Sequence, residues 1–323
     1  MKKYKVTSPI LIIFYNRIDK TKNILENLLK LNNDYSRLYF SVDGPKNYED
    51  INKIQEVISL LRIFKKKLKN VELIINETNL GLQQNIVKSI DYVLSINDTI
   101  IVLEDDHIVS PEFFRFCDDM LKKFRNNERI FQISGSCYLP NKLKKDDIFF
   151  SKMPDCVGWA TWKNSWAKLK RNFSLYEIYK EKKVQNYYND FSKTHWFYEY
   201  LFREHCAVEK KGLWSTWWQL TIIYENGLSV NPMKNLVIHD GLDNRPDTEH
   251  YNKTIEIKKK IVCEEINLDK IKNIEVTYNK TLDNFNFKLI KKSDPLFKLK
   301  NRLIWFLRFY KRIYSLKNKF VNL

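Results

Sequence analysis

The chain has 323 residues and a mass of 39.1 kDa, which is enough for one large hydrophobic core or two modest ones. A hydrophobic content of 44% with 14% aromatic residues excludes a disordered chain. The formal net charge of +17 favours anionic partners such as nucleic acid, acidic lipid or phosphorylated substrates. The joint abundance of Lys, Ile and Asn is an alternative, purely compositional source of that charge.

The five cysteines are widely spaced and form no Cys-x-x-Cys pair, which disfavours a disulfide framework or a structural zinc site. Reduced thiols in a cytoplasmic protein fit this usage best. Lysines precede an apolar stretch at residues 9–15, as in a signal peptide, but Asn16 and Arg17 stand where a small-residue cleavage site is expected. We therefore interpret this stretch as the first strand, and no apolar run approaches the ~20 residues that span a bilayer.

Strand and helix patterns alternate through the first half of the chain. Short apolar runs predict strands at residues 9–15, 38–42, 71–75 and 100–103. Apolar residues at helical spacing predict helices at residues 20–31, 48–67, 81–96 and 111–124. This order predicts an α/β fold with a mostly parallel sheet flanked by helices on both faces.

Polar clusters follow the predicted strands at their carboxyl ends, where ligands bind in such sheets. These clusters are Asn16-Arg17, Asp43-Gly44, residues 76–81 and residues 104–106. No Gly-x-Gly-x-x-Gly segment and no phosphate-binding loop ending in Lys-Ser or Lys-Thr follows any strand. Dinucleotide-dependent enzymes and P-loop NTPases are therefore disfavoured.

The most informative of these clusters is the acidic one at residues 104–106. The apolar run 100–103 ends abruptly in Glu104, Asp105 and Asp106. Three adjacent carboxylates at the end of a buried strand are costly unless something compensates their charge. A divalent cation that holds a phosphate-bearing ligand does this well, and oxygen ligands suit Mg²⁺ or Mn²⁺ equally. The alternative is that the acids only begin a solvated loop.

The second half of the chain is less regular. Residues 130–134, 148–151 and 228–230 are predicted strands, and residues 170–211 form a predicted, highly charged helix. An aromatic motif, Gly158-Trp159-Ala160-Thr161-Trp162, precedes that helix, and residues 214–224 are again aromatic. From about residue 252 the chain is rich in Lys, Ile and Asn and shows little patterning.

Five short motifs resemble a known family. They are Phe14-Tyr15-Asn16-Arg17, Ser41-Val42-Asp43-Gly44-Pro45, Asn79-Leu80-Gly81-Leu82 with Asn85, Glu104-Asp105-Asp106 and Gly158-Trp159-Ala160-Thr161-Trp162. In this order and spacing they are similar to the bacterial sugar transferases related to N-acetylglucosaminyltransferase I, which have the GT-A fold. A sixth, weaker piece runs from Asn226-Gly227-Leu228 to His250.

The resemblance implies a GT-A catalytic domain at residues 1–250, with a nucleotide-binding half at about 1–135 and an acceptor half at about 136–250. It implies a metal-dependent, inverting hexosyl- or N-acetylhexosaminyltransferase that uses a nucleotide-diphosphate sugar, with UDP favoured. The expected acceptor is a glycan or a lipid-linked glycan in surface polysaccharide or lipopolysaccharide synthesis.

The same resemblance implies roles for individual residues. Asp106, and His250 in a closing C-terminal segment, would hold Mn²⁺ or Mg²⁺, while Glu104 would face the donor sugar as part of the catalytic site. The nucleotide-sugar would be bound by Arg17, Asp43, Asn79, Asn85 and Asp105. Trp159 would stack on a sugar face.

Each of these residues also has an ordinary structural interpretation. The alternatives are a turn former for Asp43, a helix-start residue for Arg17, a helix cap for Asn79, a core residue for Trp159 and an exposed surface residue for His250. His239, before Asp240-Gly241, is expected to be a polar loop residue.

The general base required by an inverting transfer is the clearest departure from the family pattern. Relatives carry a Trp-Asp pair where this chain has Trp214-Ser215, and a serine hydroxyl is too weak a base to replace a carboxylate. Asp155, just before the Gly158 motif, is the substitute candidate, with Asp240 and Glu204 as further options.

Residues 296–320 interleave aromatic and aliphatic residues with lysines and arginines, and no acid follows Asp294. This pattern predicts a basic amphipathic helix at the end of a C-terminal extension, residues 251–323. Such a helix suits an anionic membrane surface, which would place the protein peripherally on the inner face of the plasma membrane. The alternative is a helix docked on the catalytic domain.

Two other function classes compete with the transferase. The charge and the aromatics suit a nucleic-acid-binding protein, but no helix-turn-helix, zinc-finger or RNA-recognition signature is apparent. The acidic cluster would also lie in the cleft that should attract phosphates, and it would repel them unless a metal intervenes. A non-catalytic relative that binds a nucleotide-sugar without turnover is the second alternative, because of Ser215.

Overall fold

The computed structural model describes residues 4–31, 33–139, 147–171, 214–240, 271 and 275–285. Its helices are α1 (Ile18–Leu31), α2 (Tyr48–Lys67), α3 (Leu82–Ser95), α4 (Phe113–Lys123), α5 (Lys163–Trp166) and α6 (Trp214–Tyr224). Its first strands are β1 (Lys5–Val6), β2 (Ile10–Phe14), β3 (Asp34–Tyr35), β4 (Leu38–Val42), β5 (Val71–Ile75) and β6 (Thr99–Glu104). The later strands are β7 (His107–Val109), β8 (Ile130–Ser134), β9 (Ile148–Ser151), β10 (Trp159–Trp162), β11 (Leu228–Pro232) and β12 (Val237–His239).

The main sheet has eight strands in the order β5-β4-β2-β6-β10-β8-β11-β9. Strands β5, β4, β2 and β6 are parallel, and β8 and β11 are parallel as well. Strand β10 is antiparallel to both of its neighbours, and β9 is antiparallel to β11. The predicted α/β fold with a mostly parallel sheet and flanking helices is confirmed.

Strands β2, β4 and β6 are buried on both faces, which explains why they read as continuous apolar runs, whereas the edge strand β5 is only partly buried. Ile10, Ile12 and Phe14 of β2 pack into one core cluster with α1, α2 and α4. Leu11 and Ile13 of the same strand point to the opposite cluster, which α3 and α6 cover. Helices on both faces therefore leave only the edges and ends of this half of the sheet open to a ligand.

The chain order reverses between β2 and β6. From β2 the chain adds β4 and then β5 on one side, and it returns to place β6 on the other side of β2. In open α/β sheets the crevice at such a reversal, at the carboxyl ends of the strands, is where ligands bind. Arg17 follows β2, and Asp105 and Asp106 follow β6, so both polar clusters lie at this point.

A two-stranded ribbon lies beside this crevice. Strand β12 pairs antiparallel with β7, and its last residue, His239, is opposite His107. The backbone N–H of Asp240 donates to the carbonyl of Asp106 at 2.7 Å. Lys20 of α1 fixes the end of the ribbon, because its Nζ donates to the Asp240 carbonyl at 2.6 Å and to its carboxylate at 3.1 Å.

The predicted elements of the first half are confirmed, with ends shifted by a few residues. The first helix begins at Ile18 rather than residue 20, and the fourth begins at Phe113 rather than residue 111. Most of the predicted helix 170–211 and all of the predicted basic helix 296–320 lie outside the described residues. The division into halves and a C-terminal extension stays a prediction. No helix within the described ranges is both long and apolar enough to cross a membrane.

Asp118 of α4 holds the start of the chain against the fold. Its buried carboxylate accepts hydrogen bonds from the backbone N–H groups of Thr7 at 2.7 Å and Ser8 at 2.9 Å. Asp118→Ala leaves both donors unpaired, so we expect the free energy of unfolding in urea to fall by about 3 kcal/mol. The control is Glu26→Ala, which loses a solvent-exposed pair with Lys22 on α1 and should cost less than about 1 kcal/mol. Equal losses in the two variants would contradict this role.

Asp283 joins a C-terminal segment to the edge of the sheet. Its buried carboxylate accepts from Ser151 Oγ at 2.5 Å and from the Lys152 backbone N–H at 2.7 Å. Burial raises the pKa of Asp283 to about 7, against the opposing effect of these donors. Unfolding therefore releases a proton between pH 4 and 7, so this residue's contribution to stability falls as the pH rises through that window, by up to about 1.4 kcal/mol per pH unit. Asp283→Asn should lack this slope in urea titrations at several pH values, and an unchanged slope would refute the assignment.

Candidate active site

Arg17 connects the ends of β2 and β6. Its Nε donates to Asp105 Oδ2 at 3.1 Å, its second terminal nitrogen pairs with Asp105 Oδ1, and its first donates to Asp106 Oδ2 at 2.8 Å. Asp105 and Asp106 are only 2% and 4% exposed, so water cannot screen their charge. Burial lowers the pKa of Arg17, but the two carboxylates outweigh it and raise the pKa above its usual value. The guanidinium is thus a fixed positive charge that compensates part of the acidic cluster.

The second oxygen of Asp106 faces two imidazoles. Asp106 Oδ1 is buried and accepts no hydrogen bond from the residues that the structure describes. His107 Nε2 lies 3.7 Å from it and His239 Nε2 lies 3.8 Å from it, on the two strands of the ribbon. These three ligand atoms all lie within 4.8 Å of one another. A buried, ionisable oxygen without a donor is costly, which indicates that a cation belongs next to it.

The charge states in this cluster differ strongly. Burial alone raises the pKa of Asp106, but the imidazoles, in their protonated form at low pH, and the Arg17 guanidinium outweigh burial and lower the pKa to about 2. Burial, together with Asp106 and Asp105, raises the pKa of Glu104 to about 8. Burial lowers the pKa of His107 to about 3, so its ring is neutral at physiological pH. The site therefore places the ionised carboxylate of Asp106 next to the neutral imidazole of His107.

The donor set fits a divalent transition ion in type. A carboxylate oxygen and imidazole nitrogens are both ligands of Mn²⁺-class ions, whereas Mg²⁺ prefers oxygen ligands alone. Cis ligands of a six-coordinate ion with bonds of about 2.1 Å lie roughly 3 Å apart, so the group must contract slightly to bind one. Sequence reasoning assigned Asp106 to this role. It missed His239, because the pairing of β12 with β7 that brings this residue to Asp106 leaves no local signal.

The carboxylate of Asp43 already accepts hydrogen bonds from the neighbouring loops. Its carboxylate accepts from the backbone N–H groups of Leu80 at 2.9 Å and Gly81 at 3.0 Å, and from the side chains of Asn76 and Asn79 at 3.3 and 3.2 Å. It is 4% exposed, and its oxygens are already occupied. The carboxylate of Asp43 therefore fixes the loop that follows β5, and its contact with the nucleotide base stays a prediction.

Asn79 and Asn85 take part in the same network. Asn79 Nδ2 also donates to the carbonyl of Gly44 at 2.7 Å, which ties together the loops after β4 and β5. Asn85 is 2% exposed, and its Oδ1 accepts from Ser41 Oγ at 3.1 Å and from Asn76 Nδ2 at 2.9 Å. Both residues lie where the nucleotide contact was predicted, but their contacts fix the loops after β4 and β5, and for Asn85 burial excludes a direct contact in this conformation.

Trp159 is a core residue. It is fully buried, and its ring lies 5.6 to 6.0 Å, between centroids, from Trp166, Trp214 and Trp218. The interpretation of Trp159 as a platform for a sugar is therefore wrong for this structure, because neither ring face is open. The cluster instead packs α5 and α6 against the sheet.

The candidates for the general base differ in their positions and contacts. Asp155 lies close enough to His107 for their charges to interact, and its Oδ1 accepts from the backbone N–H of Val157 at 3.1 Å. Asp240 is held by Lys20, as described above. Ser215 lies in the first turn of α6, within the run of tryptophans. Glu204 and the predicted metal ligand His250 lie outside the described residues.

The chain matches no protein-family model and no curated protein sequence. Among solved structures it is similar to a Pyrobaculum calidifontis mannosyltransferase in complex with GDP-Man and Mn²⁺ (8% identity, TM-score 0.36, 49% of this chain and 45% of that chain). It is also similar to Mycobacterium tuberculosis glucosyl-3-phosphoglycerate synthase with Mn²⁺, UDP and glucosyl-3-phosphoglycerate (11% identity, TM-score 0.37, 79% and 78%). A third is 4-diphosphocytidyl-2C-methyl-D-erythritol synthase from Anaerococcus prevotii (10% identity, TM-score 0.33, 55% and 75%).

These likenesses are distant. The chain spans less than half the length of the mannosyltransferase, and the three names cover different enzymes. The activity of this chain is therefore argued below from its own residues.

Gly44 sets the distance between the loops after β4 and β5. A Cβ at this position would lie 2.4 Å from the carbonyl carbon of Thr78 and 2.8 Å from the Asn79 nitrogen, both backbone atoms. We expect Gly44→Ala to push the loops apart and to reduce the free energy of unfolding in urea by about 2 kcal/mol. Gly81→Ala is the matched control. It has open space, so its loss comes only from its backbone at φ 77° and ψ 155°, a region that residues with a Cβ rarely adopt, and should be about 1–3 kcal/mol. A Gly44→Ala variant as stable as the wild type would contradict the close approach.

Proposed function

We propose that the protein is a metal-dependent glycosyltransferase that takes a sugar from a nucleoside-diphosphate donor, bound in the crevice between the ends of β2 and β6. The observation that carries this proposal is the buried Oδ1 of Asp106, an ionised carboxylate oxygen without a hydrogen bond beside two imidazoles. Anionic phosphates cannot approach Asp105 and Asp106 without a cation. A divalent ion held at Asp106 would attract the donor diphosphate to these carboxylates, and it would act as a Lewis acid on the diphosphate as it leaves.

The protein groups around the ion have separate tasks. Asp106 and His239 would hold the ion, and the nitrogen ligand favours Mn²⁺ over Mg²⁺. Arg17 keeps Asp105 and Asp106 in place and leaves Oδ1 of Asp106 to the ion. The hydrogen bonds around Asp43 fix the loops after β4 and β5, which would line the site of the nucleotide base. The sequence motifs that resemble the GT-A transferases coincide with these groups, which supports sugar transfer among the reactions of diphosphate donors.

The donor and acceptor follow from the resemblance alone. UDP is the favoured nucleotide, inversion the favoured stereochemistry, and a glycan or lipid-linked acceptor at the inner membrane face the favoured partner. The nucleic-acid alternative is weakened by the site, because its best-buried charged groups are carboxylates.

Removal of the Asp106 carboxylate tests the donor site. In a thermal-shift screen of UDP, GDP, CMP and dTDP sugars with Mn²⁺, one nucleotide class should stabilise the wild type, by about 2.7 kcal/mol at one hundred times its Kd. Asp106→Asn should lose this shift, because an amide is a poor ligand for the ion. The matched control is Asp98→Asn, the same exchange at the exposed opposite end of β6, which should keep the shift. A metal-dependent shift that survives in Asp106→Asn would refute the proposal.

Asp155 is our candidate for the general base, because it is the described carboxylate nearest in sequence to the Gly158 motif and its charge acts on His107. Asp155→Asn keeps an acceptor for the Val157 N–H but removes the base. We expect donor binding to be unchanged while the rate of sugar transfer falls by about 10²–10⁴-fold. Unchanged turnover would exclude Asp155 from this role and leave the metal site untouched.

A further inference from the structure

The two histidines beside Asp106 use their ring nitrogens differently. His107 Nδ1 accepts a hydrogen bond from the backbone N–H of Glu104 at 3.1 Å. An accepting ring nitrogen must carry its lone pair, so the ring is neutral and its proton is on Nε2. His107 is 1% exposed, so water cannot replace either contact. The nitrogen that faces Asp106 Oδ1 at 3.7 Å is therefore an N–H group.

Metal binding through His107 Nε2 would require the other tautomer. Its proton would then lie on Nδ1 and point at the Glu104 N–H, so two donors would face each other at 3.1 Å. A buried backbone N–H left without an acceptor costs about 1–3 kcal/mol. Turning the ring over would place a carbon at the same N–H and leave it equally unpaired. Metal-bound histidines instead donate their second N–H to an acceptor, which is the opposite of this arrangement.

The same contact gives His107 a different task. Glu104 ends β6 and His107 begins β7, so the hydrogen bond spans the tight turn that presents Asp105 and Asp106. His107 Nδ1 thus closes the turn, while its Nε2–H faces the Asp106 oxygen. His239, on the paired strand, has its Nε2 3.8 Å from that oxygen and 24% of its side chain exposed.

We propose that His107 is a positioning residue that closes the turn carrying Asp106, and that the ion is held by Asp106 and His239 without His107. This inference rests on the metal-dependent function proposed above. It reduces the three-residue cluster to two protein ligands and leaves the remaining coordination positions to the donor diphosphate and water.

Matched asparagine variants of the full chain separate the two roles. Asn places an acceptor near the position of Nδ1 but has no group at Nε2, so His107→Asn keeps the contact to Glu104 and removes the disputed nitrogen. We expect its Mn²⁺ affinity, measured by EPR titration of free Mn²⁺, to stay within about threefold of the wild type. His239→Asn should bind Mn²⁺ about 10–100-fold more weakly. An equal loss in His107→Asn would overturn the proposal.

A third variant tests positioning directly. His107→Leu removes the acceptor while keeping a buried apolar side chain, so the turn opens and Mn²⁺ affinity should fall by about tenfold. Mn²⁺ affinity that is lost in His107→Leu but kept in His107→Asn would show that the hydrogen-bond acceptor at this position holds the turn. Full affinity in His107→Leu would contradict the positioning role.

The tautomer can be read without any metal. In two-bond ¹⁵N–¹H correlation spectra of the metal-free protein, the ring signal that disappears in His107→Asn should show a protonated Nε2 and an unprotonated Nδ1. A proton on Nδ1 would overturn the assignment of His107. If the wild type binds no Mn²⁺ in the titration, the metal-dependent function fails, and the ion-holding part of this proposal fails with it. The tautomer still decides separately whether His107 closes the turn.

Discussion

The site depends on how the charge at the end of β6 is compensated. Asp105 and Asp106 are almost completely buried, and like charges at this separation repel strongly where water is excluded. Arg17, from the end of the adjacent strand β2, neutralises one equivalent through contacts to both carboxylates. One oxygen of Asp106 accepts no hydrogen bond from the residues that the structure describes and lies 3.7 Å from His107 Nε2 and 3.8 Å from His239 Nε2. The described residues therefore leave one buried negative charge at this turn uncompensated, and a divalent ion would compensate it.

The surrounding elements serve to hold this arrangement in place. The reversal of strand order between β2 and β6 creates the crevice, and the pairing of β12 with β7 carries His239 to it. Lys20 fixes the end of that ribbon through Asp240, and the hydrogen bond from Glu104 to His107 fixes the turn. Buried polar groups are stable only when they are hydrogen-bonded. The Asp106 oxygen that accepts no hydrogen bond from the described residues therefore indicates the functional position.

The sequence was sufficient to predict the parallel half of the fold and the edge at which the site lies. Apolar runs followed by Arg17, Asp43 and Glu104-Asp105-Asp106 carry that information locally. The roles within the site were harder to predict, because they depend on contacts between distant segments. Asp43 is saturated by a loop almost forty residues away in the chain, and Trp159 is enclosed by helices that follow it. His239 reaches Asp106 only through the register of the ribbon.

A crystal structure with Mn²⁺ and UDP would show whether the ion binds at Asp106, because the anomalous signal of manganese locates the ion independently of the protein. We expect a single strong peak within bonding distance of Asp106 Oδ1 and His239 Nε2. The diphosphate should lie between the ends of β2 and β6, beside Arg17. An ion bound elsewhere, or a diphosphate away from this crevice, would refute the proposed donor site.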